Sequence, residues 1–208
     1  MIEVSQDGHI RRITLNRPEK ANSLTAEMLG QLIDAVGETG ADTKVLVITG
    51  RGNVFSAGAN LEEARKGLAT SDLWETLSGA IAALPCMTIA ALNGTLAGGA
   101  FGMALACDIR IAVPAAKFFY PVIKLGFLPR PSDPLRLSAL IGPARAKMIL
   151  VASQKIDSAE ALSWGLVDRV IEPADMEDEI AKLSQAPLAA ELQQISGIKR
   201  TIPDTTGR

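Results

Sequence analysis

The chain has 208 residues but only one histidine and two cysteines. His9 stands in an N-terminal strand pattern, and Cys86 and Cys107 form no CxxC motif, so the ligands of a zinc site are not gathered anywhere in the sequence. We therefore expect no metal. Two unpaired thiols and the lack of a visible signal peptide are typical of a reducing compartment, and we expect a cytoplasmic location.

Charge and hydropathy exclude further classes of partner. The formal net charge is −2 and the Lys and Arg residues form no dense block, which argues against nucleic acid and against an anionic membrane surface. The longest apolar stretch, residues 89–107, is interrupted by glycines and Asn93, so no membrane span is expected. Aromatic residues make up 4% of the chain, and the core must therefore rest on Ala, Leu, Ile and Val.

Strand and helix patterns alternate through the first part of the chain and give way to helices in the second. Strand patterns occupy residues 2–4, 9–15, 45–49, 88–92 and 109–113, with helical stripes between most of them. The later helical patterns cover residues 134–140, 143–152, 157–164, 175–184 and 188–200, with one strand pattern at 166–171. This order predicts an α/β architecture in one domain, residues 1–208, whose C-terminal helical part starts at about residue 134. The tail, residues 203–208, is expected to be loose.

Helix starts are predicted at three places. Thr25 is an expected N-cap, and Asp72 and Glu75 have the spacing of a capping box. Asp133 before Pro134 is typical of a helix start in which the carboxylate caps and proline takes the first helical position.

Two glycine-rich segments follow strands and are the main candidates for chemistry. They are residues 54–61 (VFSAGANL) and 93–99 (NGTLAGG). Small side chains allow a ligand to approach backbone N–H groups, and such donors near helix N-termini suit an oxygen that becomes negative during a reaction. The alternative is that the glycines only permit tight turns and close helix packing. On spacing alone, this alternative is favoured.

Five segments together resemble the crotonase superfamily, also called the enoyl-CoA hydratase/isomerase family. They are LNRPEKANSL, ITGRGNVFSAGANLEE, ALNGTLAGGAFGMALACDIRIA, KLGFLP and ALSWGLVDRVI, and they span about residues 4–200. The resemblance implies a crotonase-like spiral of ββα units, here with a shortened C-terminal helical region. It also implies an acyl-CoA substrate, no bound cofactor because the substrate itself carries the coenzyme A, and a homotrimer or homohexamer.

The resemblance assigns a site residue by residue. The backbone N–H groups of Ala59 and Gly99 would form an oxyanion hole for the thioester carbonyl and stabilise its enolate. The adenine side of CoA would run past Lys20, Ala21 and Ala57. The remaining expected substrate-binding residues are Asn60, Leu61 and Gly98.

Two departures from the family pattern limit the reaction. Hydratases of the family carry glutamates at the positions of Gly102 and Val122, and neither residue here can move a proton. Water addition needs an acid and a base, each contributing about 10²–10⁴-fold in rate. We therefore expect an isomerase, decarboxylase or C–C lyase rather than a standard hydratase. The alternative is a non-catalytic CoA-binding or assembly subunit, which the missing glutamates and the shortened C-terminus favour.

Several side chains are candidates to replace the glutamates. Arg130 stands where some isomerases carry an acid, and it could bind a substrate carboxylate or pair with a surface acid. Asp133 is the nearest carboxylate in sequence, although capping is the favoured role. Glu62 and Glu63 follow the first glycine segment, and Tyr120 is either a proton donor or a buried structural phenol. The sequence does not choose among them.

Overall fold

The computed structural model describes residues 1–202 and contains two β-sheets. The larger sheet has the order β1 (Ile2–Asp7), β2 (Ile10–Leu15), β3 (Val45–Gly50), β5 (Met87–Leu92), β7 (Ile109–Ala112) and β10 (Arg169–Val170). The smaller sheet has the order β4 (Val54–Ser56), β6 (Thr95–Ala97), β8 (Lys117–Phe119) and β9 (Ile156–Asp157). The expectation for the tail, residues 203–208, lies outside the described residues.

Helices connect successive turns of this arrangement. They are α1 (Ala26–Gly37), α2 (Leu61–Arg65), α3 (Leu73–Ala82), α4 (Ala100–Leu105), α5 (Val122–Leu125), α6 (Ser132–Ile141), α7 (Pro143–Leu150), α8 (Ser158–Trp164), α9 (Met176–Ala189) and α10 (Leu192–Thr201).

The chain forms a spiral, and each turn of the spiral contributes one strand to each of the two sheets. The pairs β3 and β4, β5 and β6, and β7 and β8 follow one another along the chain, and the larger sheet is parallel from β2 to β10. The strands β4, β6 and β8 are parallel in the smaller sheet. Parallel strands need crossover connections, which the helices supply. The predicted α/β fold of ββα units is confirmed.

The helix α4 lies at the centre of the core. All six of its residues are buried, including Gly102, and its neighbours are β6, α3 and α6. The largest fully buried side chains include Phe55, Phe101 and Phe118. Most of the remaining core is aliphatic, as the low aromatic content predicts.

The predicted helix starts have mixed outcomes. Thr25 caps α1, since its side chain accepts a hydrogen bond from the Met28 N–H, and this prediction is confirmed. The predicted capping box at Asp72 and Glu75 is wrong, because Asp72 makes no side-chain cap to α3. Tertiary partners take both carboxylates instead: Asp72 accepts from Arg130, and Glu75 accepts from the backbone and hydroxyl of Ser132.

Short elements and some boundaries differ from the sequence prediction. The strands β4, β6 and β8 have three residues each, too few for an alternating pattern to be visible. The strand expected at 166–171 is only the two-residue β10. Helix α9 continues to Ala189 with Pro187 in its last turn, so the predicted boundary between residues 184 and 188 falls later. In the part of the chain that is described, no helix has the length and apolarity to cross a membrane.

Candidate active site

The two glycine-rich segments touch each other through their backbones. Gly58 has φ +85° and Gly98 has φ +56°, both in the left-handed region that favours glycine. A Cβ atom on Gly58 would lie 2.7 Å from the carbonyl oxygen of Ala97 and 3.2 Å from the Cα of Gly98. Because no side chain separates the segments, the residues that follow, Ala59 and Gly99, are brought to the same place.

The first segment is held by the start of α1. The Leu24 N–H donates to the Gly58 carbonyl at 2.8 Å, and the Asn60 N–H donates to the Leu24 carbonyl at 2.8 Å. The Ser56 hydroxyl donates to the Asn22 carbonyl and accepts from the Gly58 N–H. Ala59 lies between these anchors, and within residues 1–202 its own N–H donates no hydrogen bond. That donor is free to bind a ligand.

The second segment is fixed by β8 and by an indole ring. The Gly98 N–H donates to the Phe119 carbonyl at 3.1 Å. A Cβ on Gly99 would lie 3.1 Å from Cζ3 of Trp74, whose Nε1 donates to the Leu68 carbonyl at 2.7 Å. Gly99 precedes the first residue of α4, and no acceptor for its N–H occurs among the described residues. A second backbone donor is therefore available at a helix N-terminus.

Both donors line one cavity of about 550 Å³. Seven of the eight residues expected from the sequence line it, namely Lys20, Ala57, Ala59, Asn60, Leu61, Gly98 and Gly99. The eighth, Ala21, does not line it; its carbonyl accepts the Ala57 N–H at 3.0 Å, which helps to hold the first segment. The wall is largely apolar.

Several wall residues were not among those expected. Trp74 of α3 lines the cavity, and nothing in its spacing in the sequence points to the site. Leu125, Phe127 and Leu128 also line the cavity. They belong to the KLGFLP segment, which the resemblance includes, and that segment is the signal that could have assigned them to the site.

Gly102 and Val122, where the resemblance led us to compare this chain with hydratases, differ in their surroundings. Val122 lines the cavity at the start of α5. Gly102 is buried in α4, and a Cβ there would lie 2.7 Å from Oδ1 of Asp133. The space beside Gly102 is therefore occupied by a carboxyl group that comes from α6.

The capping role favoured for Asp133 is wrong. Helix α6 begins at Ser132, two residues earlier than that role requires, and no side chain caps it. Asp133 is 2% exposed, and its Oδ2 accepts a hydrogen bond from the Tyr120 hydroxyl at 2.8 Å. The acid is turned inward because this buried phenol is its partner. Tyr120 is both buried and part of the cavity wall.

Burial changes the acidity of both groups. Burial raises the pKa of Asp133 to about 7, opposed by the Tyr120 hydrogen bond and by the charges of Arg136 and Arg130, while the Glu75 charge adds to the rise. Burial also raises the pKa of Tyr120, and the neighbouring Asp133 carboxylate and its hydrogen bond raise it further. Asp133 can therefore exchange a proton near neutral pH, and Tyr120 remains a phenol.

The other candidates are engaged elsewhere. Arg130 lines the cavity, but it donates to the Thr70 carbonyl at 2.8 Å and to the Asp72 carboxylate at 2.9 Å. Of the two roles left open for Arg130, the pairing with a surface acid is the one present. Glu62 lies at the cavity rim and pairs with Lys66 at 2.9 Å, whereas Glu63 accepts the Ala26 N–H.

The fold is an α/β spiral in which two backbone N–H groups without acceptors among the described residues line one largely apolar cavity, and donors of this kind suit a ligand oxygen that carries negative charge. The sequence profile described as enoyl-CoA hydratase/isomerase matches residues 5–203. The chain belongs to the enoyl-CoA hydratase/isomerase family.

Relatives agree with this assignment. A "probable enoyl-CoA hydratase" of Mycobacterium bovis is 38% identical over 180 residues, covering 84% of this chain and 69% of that protein. The short-chain-enoyl-CoA hydratase of Clostridium acetobutylicum is 34% identical over 204 residues, covering 92% and 78%. A Thermobifida fusca protein whose crystal structure contains acetoacetyl-CoA is 26% identical, with a TM-score of 0.87 over 96% of this chain and 84% of that one.

Proposed function

We propose that this family member processes an acyl-CoA thioester whose carbonyl oxygen accepts hydrogen bonds from the backbone N–H groups of Ala59 and Gly99. One observation carries the proposal. The segments touch at Gly58 and Gly98, and the next residue of each lines the same cavity with an unused N–H. Two such donors stabilise the charge that develops on the oxygen when the thioester becomes an enolate.

The cavity supports the binding of the rest of the substrate. Lys20 and Ala57 are exposed at its mouth, where a charged group of CoA can meet an ammonium group in water. Leu61, Val122 and Leu125 provide apolar contact for an acyl chain. The T. fusca relative with acetoacetyl-CoA bound supports a CoA thioester as the ligand.

We further propose that the reaction is not hydration, although relatives carry hydratase names. Among the described residues that line the cavity, the only carboxylate is Glu62, and it pairs with Lys66 at the rim. Neither Gly102 nor Val122 carries an acid or base. Addition of water across a double bond needs both, so isomerisation, decarboxylation or C–C bond cleavage through an enolate fits the site better.

A substrate panel tests the proposed function. The purified chain is incubated with crotonyl-CoA, a 3-enoyl-CoA, malonyl-CoA and a 3-ketoacyl-CoA, and products are followed by mass spectrometry. We expect turnover of at least one of the last three and no hydration of crotonyl-CoA above background. Crotonyl-CoA hydration as the fastest reaction would contradict the proposal. Binding of acyl-CoA with no turnover of any substrate would support a non-catalytic CoA-binding subunit.

We also propose a homotrimer or homohexamer. Large apolar side chains beside the cavity are exposed in the single chain, with Leu61 at 63%, Leu125 at 50% and Leu128 at 85%. Contact with a second copy would remove this surface from water. Mass measurement by light scattering tests this, and a monomer at micromolar concentration would contradict it.

A further inference from the structure

We propose that Tyr120 and Asp133 form the proton-transfer unit of this site, with Tyr120 as the catalytic residue on the cavity wall and Asp133 as the positioning acid behind it. The inference rests on the proposed function, because it needs an enolate at Ala59 and Gly99 as the group that gains or loses the proton. It names a replacement for the glutamates missing at Gly102 and Val122.

The position of Tyr120 is well defined. It directly follows Phe119, the last residue of β8, whose carbonyl accepts the Gly98 N–H, so the phenol is attached to the same strand end as the second glycine segment. Its ring stacks on Phe101 with centroids 5.4 Å apart and planes at 26°. The hydroxyl is held by Asp133 at 2.8 Å. A buried ring with one stacking partner and one hydrogen bond has little freedom to turn.

The carboxyl group of Asp133 has two different neighbours. Its Oδ2 accepts from Tyr120, and its Oδ1 faces the backbone of Gly102, where a Cβ would stand 2.7 Å away. The absence of a side chain on α4 is therefore what leaves room for an acid supplied by α6. Helix α6 thus supplies a carboxyl group beside Gly102, behind the Tyr120 phenol of the cavity wall.

Charged groups surround Asp133 without pairing with it in the described residues. Glu75 of α3 is occupied by Ser132, Arg136 of α6 donates to the Ser132 hydroxyl at 3.0 Å, and Arg130 binds Thr70 and Asp72. A buried carboxyl group without an ion pair favours its neutral form. Burial in this environment raises the pKa of Asp133 to about 7, so both of its protonation states are populated at neutral pH.

The proton transfer balances without a further reactant. When an enolate is protonated, the Tyr120 O–H bond breaks and a C–H bond forms at the α-carbon, while the Asp133 carboxylic acid gives its proton to the Tyr120 oxygen. Asp133 becomes a carboxylate and regains a proton from water. Tyr120 never has to exist as a phenolate, which its burial disfavours. The reverse sequence removes an α-proton, with the Asp133 carboxylate as the final acceptor.

Exchange of the α-protons of butyryl-CoA in D₂O tests the unit directly, because exchange needs only the carbonyl donors and a proton-transfer group. We expect Tyr120→Phe and Asp133→Asn each to lower the exchange rate about 10²-fold or more. The parent rate should rise with pH through about 7, as the Asp133 carboxylate forms, and the residual rate of Asp133→Asn should lack this inflection. Asp178→Asn, at an exposed position on α9, is the matched control with an unchanged rate.

A second readout separates this inference from the proposed function. The ultraviolet band of the acetoacetyl-CoA enolate reports the carbonyl donors alone, and it should persist in both variants. If the band persists but both variants exchange butyryl-CoA like the parent with the same pH profile, the unit is wrong and the proposed function stands. If the parent neither binds acetoacetyl-CoA nor forms its enolate, the proposed function fails and this inference fails with it.

A rescue variant addresses the case in which Asp133→Asn does not fold. In Gly102→Glu combined with Asp133→Gly, the carboxyl group moves to α4 and the blocking side chain is removed. We expect this pair to exchange faster than Asp133→Gly alone and to depend less on Tyr120. Equal rates for the pair and for Asp133→Gly, with Tyr120→Phe fully active, would overturn the inference.

Discussion

The Oδ1 atom of Asp133 lies 2.7 Å from the position that a Cβ atom would take on Gly102. These two residues, on α6 and α4, are complementary in volume. Gly102 has no side chain at the point where the buried carboxyl group of Asp133 packs against α4. The missing side chain at Gly102 therefore does not leave a void. The Asp133 carboxyl group occupies that space and lies behind the phenol of Tyr120.

This complementarity predicts an unfavourable effect of the smallest possible side chain. Gly102→Ala places a methyl group against the Asp133 carboxyl, and overpacking of this kind costs about 1–3 kcal/mol. Gly79→Ala in α3 has no atom within 4 Å of the new Cβ, so it should gain the roughly 1 kcal/mol that alanine has over glycine in a helix. Urea unfolding of the two variants measures the difference. Equal free energies of unfolding would contradict the contact.

The contact between the glycine segments predicts a second pair of results. Gly58→Ala combines left-handed backbone strain with a clash against the Ala97 carbonyl, whereas Gly8→Ala carries strain alone because its Cβ meets nothing within 4 Å. Strain in this region costs about 1–2 kcal/mol. We expect Gly58→Ala to lose more stability than Gly8→Ala and also to lose turnover of whichever acyl-CoA the parent processes. Full activity in Gly58→Ala would show that the close contact between the two glycine-rich segments is not required for turnover.

The acidity of Asp133 predicts how stability depends on pH. Its pKa rises from 3.8 when unfolded to about 7 when folded, so the folded state binds the proton more tightly. That contribution to the free energy of unfolding is fully present below pH 3.8 and is lost as pH rises through about 7. Asp133→Asn removes the titrating group, so the free energy of unfolding of this variant does not include this pH-dependent decrease. The stability of the variant relative to the parent should therefore increase between these pH values, and a constant difference would argue against a buried neutral acid.

The contacts of Arg130 predict that this residue does not make the protein selective for dicarboxylic over monocarboxylic acyl-CoAs. Its two terminal nitrogens bind Thr70 and Asp72, so a substrate carboxylate would have to displace a partner that is already paired. We expect the ratio of kcat/KM for dicarboxylic and monocarboxylic acyl-CoAs to change by less than about threefold in Arg130→Ala. A selective loss of the dicarboxylic substrate would assign Arg130 to substrate binding. Asp72→Asn, which removes the pair but keeps the guanidinium, is the control.

The sequence predicts the long strands and helices of this structure because their apolar residues recur at a regular spacing. The long strands of the main sheet and the cap at Thr25 follow from alternation, helical stripes and local hydrogen bonding. The smaller sheet was missed because β4, β6 and β8 are three residues long and are stabilised by pairing with one another, which no local pattern encodes. The expected residues at the cavity came from the family resemblance and from no periodic pattern.

Asp133 illustrates what local rules could not predict. An aspartate before a proline at a helix start is a good cap by local chemistry, and Asp72 with Glu75 has the right spacing for a capping box. In both cases a partner distant in sequence, Tyr120 for one and Arg130 for the other, offers a better hydrogen bond than the helix end. Such choices depend on which elements meet in space, and only the fold supplies that information.

We expect the Gly99 N–H to stabilise a thioester enolate, and two variants at this one position separate the effect of the donor from that of an added side chain. Gly99 has φ −60°, which proline also adopts, so Gly99→Pro removes the donor at a φ that the proline ring allows. Gly99→Ala adds a Cβ against Trp74 in the same way but keeps the N–H. The measurement is the ratio of the butyryl-CoA α-proton exchange rates of the two variants in D₂O. We expect Gly99→Pro to be slower than Gly99→Ala by about 10²–10³-fold. Equal rates in two folded variants that both bind CoA would contradict it.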